Sequence, residues 1–89
     1  MPTYELFSYP SCQKCEELKV YLGTTSLEGR ELDLSQKEGK QRVREYLSLI
    51  RRDDKGGMVL PILVFRGEAG VEAVLHSREE AEAWLRSRA

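Results

Sequence analysis

The segment Phe7-Ser8-Tyr9-Pro10-Ser11-Cys12-Gln13-Lys14-Cys15 decides how the chain is read. Its opening residues belong to an aromatic and apolar run, Tyr4 to Tyr9, of strand type. Pro10 and Ser11 stop that strand. From Cys12 to about Leu22 a helical pattern takes over, with Cys15, Leu18 and Leu22 on one face, and Gly23 with Thr24-Thr25-Ser26 ends it. Cys12 and Cys15 therefore stand where a strand has just ended and a helix begins. They are the only two cysteines of the 89 residues, whereas a secreted disulfide scaffold of this size carries about four to eight. A bridge closing so small a ring removes little entropy from the unfolded chain and is a poor staple. One helical turn apart on one face, the pair suits a disulfide that forms and opens with little backbone movement. In a reducing compartment such a pair is transient and redox-active.

Outward from this segment the chain alternates strand and helix. Glu31-Leu32-Asp33-Leu34 alternates as a short second strand, broken by Ser35 and Gly39. From Lys40 to Arg52 the residues Val43, Tyr46, Leu47 and Ile50 form the stripe of one amphipathic helix, and the charges Lys40, Arg42, Arg44, Arg51 and Arg52 form its solvated face. Asp53 to Gly57 is a polar turn. Met58 to Phe65 is the most apolar stretch, with a central strand from Ile62 to Phe65 and Pro61 at its start, because a proline inside would remove a ladder donor. Arg66 to Gly70 is a hairpin turn and Val71 to Leu75 the partner strand. Ser77 and Glu80 have capping-box spacing and open a last helix, whose buried stripe is Ala81, Trp84 and Leu85. The order is β-α-β-α-β-β-α over a single domain, residues 1–89. The first βαβ unit is right-handed if its strands are parallel, the last two strands form a hairpin, and a mixed four-stranded sheet with helices on its faces satisfies both demands.

Composition narrows the function. Charged residues make up 33% of the chain, yet the net charge is −1, which argues against nucleic acid as a partner. Met58 to Phe65 falls far short of the roughly 20 apolar residues that cross a bilayer. No charged-then-apolar leader opens the sequence, so the expected address is cytoplasmic.

The chemistry follows from position. Thiolates, not thiols, attack disulfides. Cys12 would occupy the first turn of a helix, where free N–H groups and the positive end of the dipole stabilise an anion. A free thiol titrates near 8.5, and sites of this kind bring it to roughly 3.5–7.5. Lys14 either adds a nearby cation or is a solvated side chain. Cys15, one turn inward on the Leu18/Leu22 face, stays protonated until needed. Cys12 would attack a substrate disulfide, and Cys15 would then attack Cys12, release the reduced substrate and leave the Cys12–Cys15 bridge. A competing use of the pair is half a zinc site, for which His76 is the remaining soft ligand; the strand before and helix after favour redox chemistry.

Taken with Leu60-Pro61 before a strand, these residues and the element order resemble the glutaredoxin branch of the thioredoxin fold, over nearly the whole chain. The resemblance implies an α/β thioredoxin fold, with the mixed sheet in the order 2-1-3-4. It also implies an active-site disulfide between Cys12 and Cys15, and a cis Pro61 facing it. The Leu60 amide and carbonyl would then pair with an extended substrate backbone, peptide or glutathione. Tyr9, at the end of a strand beside Cys12, either packs or lines the substrate groove. The expected activity is reduction of protein disulfides or glutathione mixed disulfides by a monomer with no bound cofactor, which takes electrons from glutathione or from a reductase partner.

The chain departs from typical glutaredoxins at several points. Gln13-Lys14 replaces Pro-Tyr between the cysteines, Tyr9 stands near a common lysine, and Val59-Leu60 replaces Thr-Val. Leu75-His76-Ser77-Arg78-Glu79 replaces a glycine turn that holds the γ-glutamyl end of glutathione. Ser77 at a helix start, beside Arg78, is the remaining place for a carboxylate. His76 itself reads as a packing or surface residue. Two other readings share the motif: a dedicated electron donor to one reductase, reset by thioredoxin reductase, and a metal or iron–sulfur carrier with Cys12 from two chains bridging a cluster.

Overall fold

The computed structural model describes residues 2–88. Four strands, β1 (Thr3–Ser8), β2 (Glu28–Asp33), β3 (Ile62–Gly67) and β4 (Gly70–Leu75), form one sheet in the order β2-β1-β3-β4. β1 runs parallel to β2 and antiparallel to β3, and β3 pairs antiparallel with β4. Helices α1 (Gln13–Gly23), α2 (Lys37–Val43) and α3 (Arg78–Arg88) accompany it, with a 3₁₀ segment, Arg44–Leu49, directly after α2. The sheet order and element sequence are those expected.

Alternation along the central strands divides the core. Leu6, Leu63 and Phe65 face α1 and α3 and pack with Leu18, Leu22 and Ala81. Phe7, Ile62 and Val64 face the other way and pack with Leu32, Leu34, Val43, Tyr46 and Ile50. Trp84 lies over Phe65, the rings nearly parallel with centroids 4.4 Å apart.

Several ends shift by one residue, β1 running Thr3–Ser8 rather than Tyr4–Tyr9, and three elements differ by more. β2 begins at Glu28 rather than Glu31, because parallel pairing with β1 runs from Thr3↔Glu28 to Ser8↔Asp33 and an edge strand tolerates polar residues on its outer positions. β3 extends to Gly67, so the hairpin closes through Glu68 and Ala69, with Gly70 at φ 114° supplying the left-handed residue. The Lys40–Arg52 helix is instead α2 followed by 3₁₀ turns. At three residues per turn the apolar stripe rotates. Val43 and Tyr46 stay buried, while Leu47, expected in the core, is 40% exposed.

On the α2 side of β1 sits a buried carboxylate. Glu5 accepts from Arg42 (Nε to Oε2, 2.9 Å; Nη2 to Oε1, 3.2 Å), from Arg30 (Nη2 to Oε2, 3.0 Å) and from the Tyr46 hydroxyl. Burial alone would raise the Glu5 carboxyl; the hydrogen bonds from Arg42, Tyr46 and Arg30 outweigh it and hold the pKa at about 2. Arg66 closes the cluster from β3 by donating to the Tyr46 oxygen at 2.8 Å. Every buried side-chain polar atom among the described residues has a partner.

Candidate active site

The strand register gathers the site at one end of the sheet. Ser8 ends β1, Phe7 pairs with Ile62, and Leu63 pairs with Leu75. The Tyr9–Cys12 turn, the Leu60–Pro61 bond and the His76–Arg78 corner thus rise from neighbouring strand ends. The Leu34 N–H, just past β2, donates to the Ser8 carbonyl at 2.8 Å and closes the same edge.

Ser11 adopts φ 61°, a left-handed turn that redirects the chain out of the strand. Cys12 follows as the N-cap of α1 in extended conformation (φ −102°, ψ 105°), its side chain doing what a serine or aspartate would do at that position. Its Sγ accepts the Cys15 backbone N–H at 3.1 Å. Cys12 and Cys15 are joined as a disulfide with Cα atoms 5.2 Å apart. Cys12 is half-buried, whereas Cys15 is only 2% exposed and shares its helix face with buried Leu18 and Leu22. The asymmetry is that of an outer sulfur open to attack and an inner one withheld from solvent.

The Leu60–Pro61 peptide bond is cis, and Pro61 is buried. Both backbone groups of Val59 are occupied: its N–H donates to the Arg51 carbonyl at 3.1 Å, and its carbonyl accepts from His76. Among the described residues the Leu60 N–H and carbonyl have no such partner.

His76, read from the sequence as a packing or surface residue, is a packing one with specific hydrogen-bond partners. It is 4% exposed. Its Nδ1 lies 2.8 Å from the Val59 carbonyl oxygen, and its Nε2 accepts the Arg51 N–H at 3.2 Å. A carbonyl only accepts, so these partners assign the proton to Nδ1 and a neutral ring. His76 thereby pins both ends of the loop between Arg51 and Val59, directly before the Leu60–Pro61 bond. The pin is anchored to α3. Glu80 accepts the His76 N–H at 2.8 Å and pairs with Arg51 at 2.9 Å. The Arg51 hydrogen bond lowers the Glu80 carboxyl against the opposing effect of burial, and the His76 N–H adds to the lowering.

The other expected site residues fall in three places. Tyr9, 51% exposed, and half-buried Leu60 line a groove of about 490 Å³ together with Leu34, Val43, Leu47 and Met58, with Lys40 and Arg44 on its wall. Ser77 and Arg78 stand away from it, past β3 at the end of β4. The Ser77 hydroxyl accepts the Glu80 N–H at 3.1 Å, and the capping carboxylate of Glu80 reaches one residue further back than Ser77, to His76. Arg78 lies 3.6 Å from the Glu82 carboxylate and 3.7 Å from that of Glu79. Lys14 is exposed on the first turn of α1.

Two solved structures are similar over almost their whole length. A crystal structure of a mutant of the thioredoxin-like protein BC3987 superposes with a TM-score of 0.61 at 18% identity, covering 93% of this chain and 99% of that one. The fold is thioredoxin-like. A structure described as that of a malarial protein gives a TM-score of 0.62 at 14% identity, with 96% of each chain covered. At such identities the likeness concerns the fold alone. The chain matches no protein-family model and no curated protein. Among the described residues no helix is long and apolar enough to cross a membrane.

Proposed function

We propose that this chain is a glutaredoxin-like thiol–disulfide oxidoreductase that reduces protein disulfides or glutathione mixed disulfides. The observation that carries the reading is the pair itself: a half-buried Cys12 capping a helix N-terminus, bonded to a buried Cys15 one turn inward.

In the reduced state the Cys12 thiolate keeps the Cys15 N–H as a donor and lies at the positive end of the α1 dipole. It attacks one sulfur of the substrate disulfide, forms the Cys12–substrate bond and expels the other sulfur as a thiolate that takes a proton from water. Cys15, losing its proton, then attacks the Cys12 sulfur and releases the second substrate thiol. The substrate gains two electrons and two protons, and the protein ends as the disulfide seen here. Leu60, whose backbone N–H and carbonyl have no partner among the described residues, supports strand-like pairing with the substrate. Two sulfurs carry the whole exchange and need no resident cofactor.

The test is reduction of insulin and of a glutathione mixed disulfide by wild type and Cys12→Ser. The reading expects activity in the wild type and none in the variant; full activity in Cys12→Ser contradicts it.

A second reading is a donor dedicated to one protein partner and reset by thioredoxin reductase. It is favoured by one observation: the Ser77 hydroxyl and the Arg78 guanidinium, the groups left to hold the γ-glutamyl end of glutathione, are turned onto α3 itself. Supplying glutathione with its reductase, or thioredoxin reductase, in separate assays distinguishes the two by which one sustains turnover.

A further inference from the structure

The groove beside Leu60 has a character of its own. Leu34 and Val43, both nearly fully buried, form its floor, while Tyr9 and Leu47 stand exposed at its edge. Its volume of about 490 Å³ lies within the range of sites that hold ligands. Leu47 is there because the 3₁₀ turns carry it off the core face, so an apolar side chain that ought to be covered is presented to the outside.

The charges on the wall are uncommitted. Lys40 and Arg44 are one turn apart, both exposed, and among the described residues neither has a carboxylate within ion-pair distance. Lys14, Lys37, Lys55, Arg52, Arg66 and Arg86 also lack one, but of these eight cations only Lys40 and Arg44 line the groove. The groove therefore offers an apolar floor and two unneutralised cations, against a chain whose net charge is −1.

We propose that this groove receives a polypeptide segment carrying a bulky apolar side chain next to a carboxylate, so that the preferred substrate is a protein disulfide flanked by an apolar–acidic pair. The proposal rests on the oxidoreductase reading above. Continuity with that reading comes through Leu60, which lines the groove and adjoins the cis bond. An extended segment paired to the Leu60 backbone would send alternate side chains to one side, where Leu47 and Tyr9 wait. Lys40 and Arg44 would take the carboxylate. Glutathione fits this site less well: its glycyl end brings a carboxylate but no side chain for the apolar floor.

The experiment is single turnover. Protein reduced with dithiothreitol and freed of it is mixed with three probes. These are a peptide disulfide whose cysteine is flanked by phenylalanine and aspartate (in both orders), one flanked by alanine and lysine, and glutathione disulfide. Each reduced protein molecule delivers two electrons to one disulfide and becomes the Cys12–Cys15 bridge. The expected second-order rate constant for the phenylalanine–aspartate peptide is about ten-fold above the other two, the scale of burying part of one large apolar side chain. The double variant Lys40→Glu, Arg44→Glu should move the preference to the lysine peptide, and Leu47→Ser should remove the phenylalanine advantage. Equal rates for the three probes overturn the proposal, as does glutathione disulfide reacting fastest, or a preference that survives the charge reversal. In those outcomes the oxidoreductase reading stands. If the wild type reduces none of the three, both readings fall.

Discussion

The Sγ of Cys12 takes the backbone N–H of Cys15 at 3.1 Å, within the same four residues that the disulfide closes. Opening the disulfide does not remove that donor, because it belongs to the helix. The residue proposed as the nucleophile is thus also the cap that starts α1, and the two roles separate by mutation.

Serine is a strong N-cap, and the small ring contributes little to stability. Cys12→Ser should lose all disulfide reductase activity yet unfold in denaturant within about 1 kcal/mol of the reduced wild type. Cys15→Ser keeps the backbone donor and loses the resolving thiol. It should accumulate a Cys12–substrate mixed disulfide, seen by mass spectrometry as a one-to-one adduct.

His76 ties the Arg51–Val59 loop to the start of α3 through two ring nitrogens. His76→Phe fills the space but leaves the Arg51 N–H and the Val59 carbonyl, both only partly buried, without their ring partner, at about 1 kcal/mol each, the low end for a lost partner. An unfolding free energy lower by about 2 kcal/mol, read as a lower denaturant midpoint, is expected. Hydrogen exchange should also quicken at the Arg51 and Val59 amides. An unchanged midpoint would show that the loop holds itself.

Glu5 sets an acid limit on stability. Its carboxyl sits at about 2 against an ordinary 4.5. The unfolded chain binds this proton more readily than the folded one, so the stabilisation is fully present above about pH 4.5 and drains away as the pH falls toward 2. The shift corresponds to about 3 kcal/mol, and Glu5→Gln should cost a similar amount at neutral pH. The variant should also show a flatter fall in stability across the acid window, read from chemical denaturation at a series of pH values.

Two glycines should respond oppositely to alanine. At Gly39 a Cβ would collide with the Asp33 carbonyl, because α2 lies against the end of β2 there. Gly39→Ala should destabilise by about 1–3 kcal/mol, as overpacking does. Gly23, the last residue of α1, has open space where a Cβ would go and no positive φ. Gly23→Ala should stabilise by about 0.4–1 kcal/mol. Thermal unfolding of both variants checks the pair.

Much of the fold is legible in the sequence because its signals are local. A strand cut by Pro10, a helix stripe through Cys15, Leu18 and Leu22, and a capping serine at Ser77 each announce themselves within a few residues. Leu47 misleads because its spacing from Val43 fits an α-helix, and nothing local marks the change to 3₁₀ turns at Arg44. His76 and Glu5 hide for a different reason. Their partners lie far along the chain, Val59 and Arg51 for one, Arg30, Arg42 and Tyr46 for the other. The one local trace of Glu5 is its parity with Phe7, a core residue two positions on along the same strand. Tyr9 and Leu60 meet in one groove with Lys40 and Arg44, a convergence that only strand pairing brings about.

The acidity of the Cys12 thiol tests the account most directly. It is measured by ultraviolet absorbance of the thiolate against pH in the reduced protein, with Cys15→Ser to isolate the outer sulfur. A titration midpoint below about 7.5 is the predicted result. A midpoint at or above about 8.5, that of a free thiol, would mean that the first turn of α1 does not hold the sulfur as an anion, and would contradict the account.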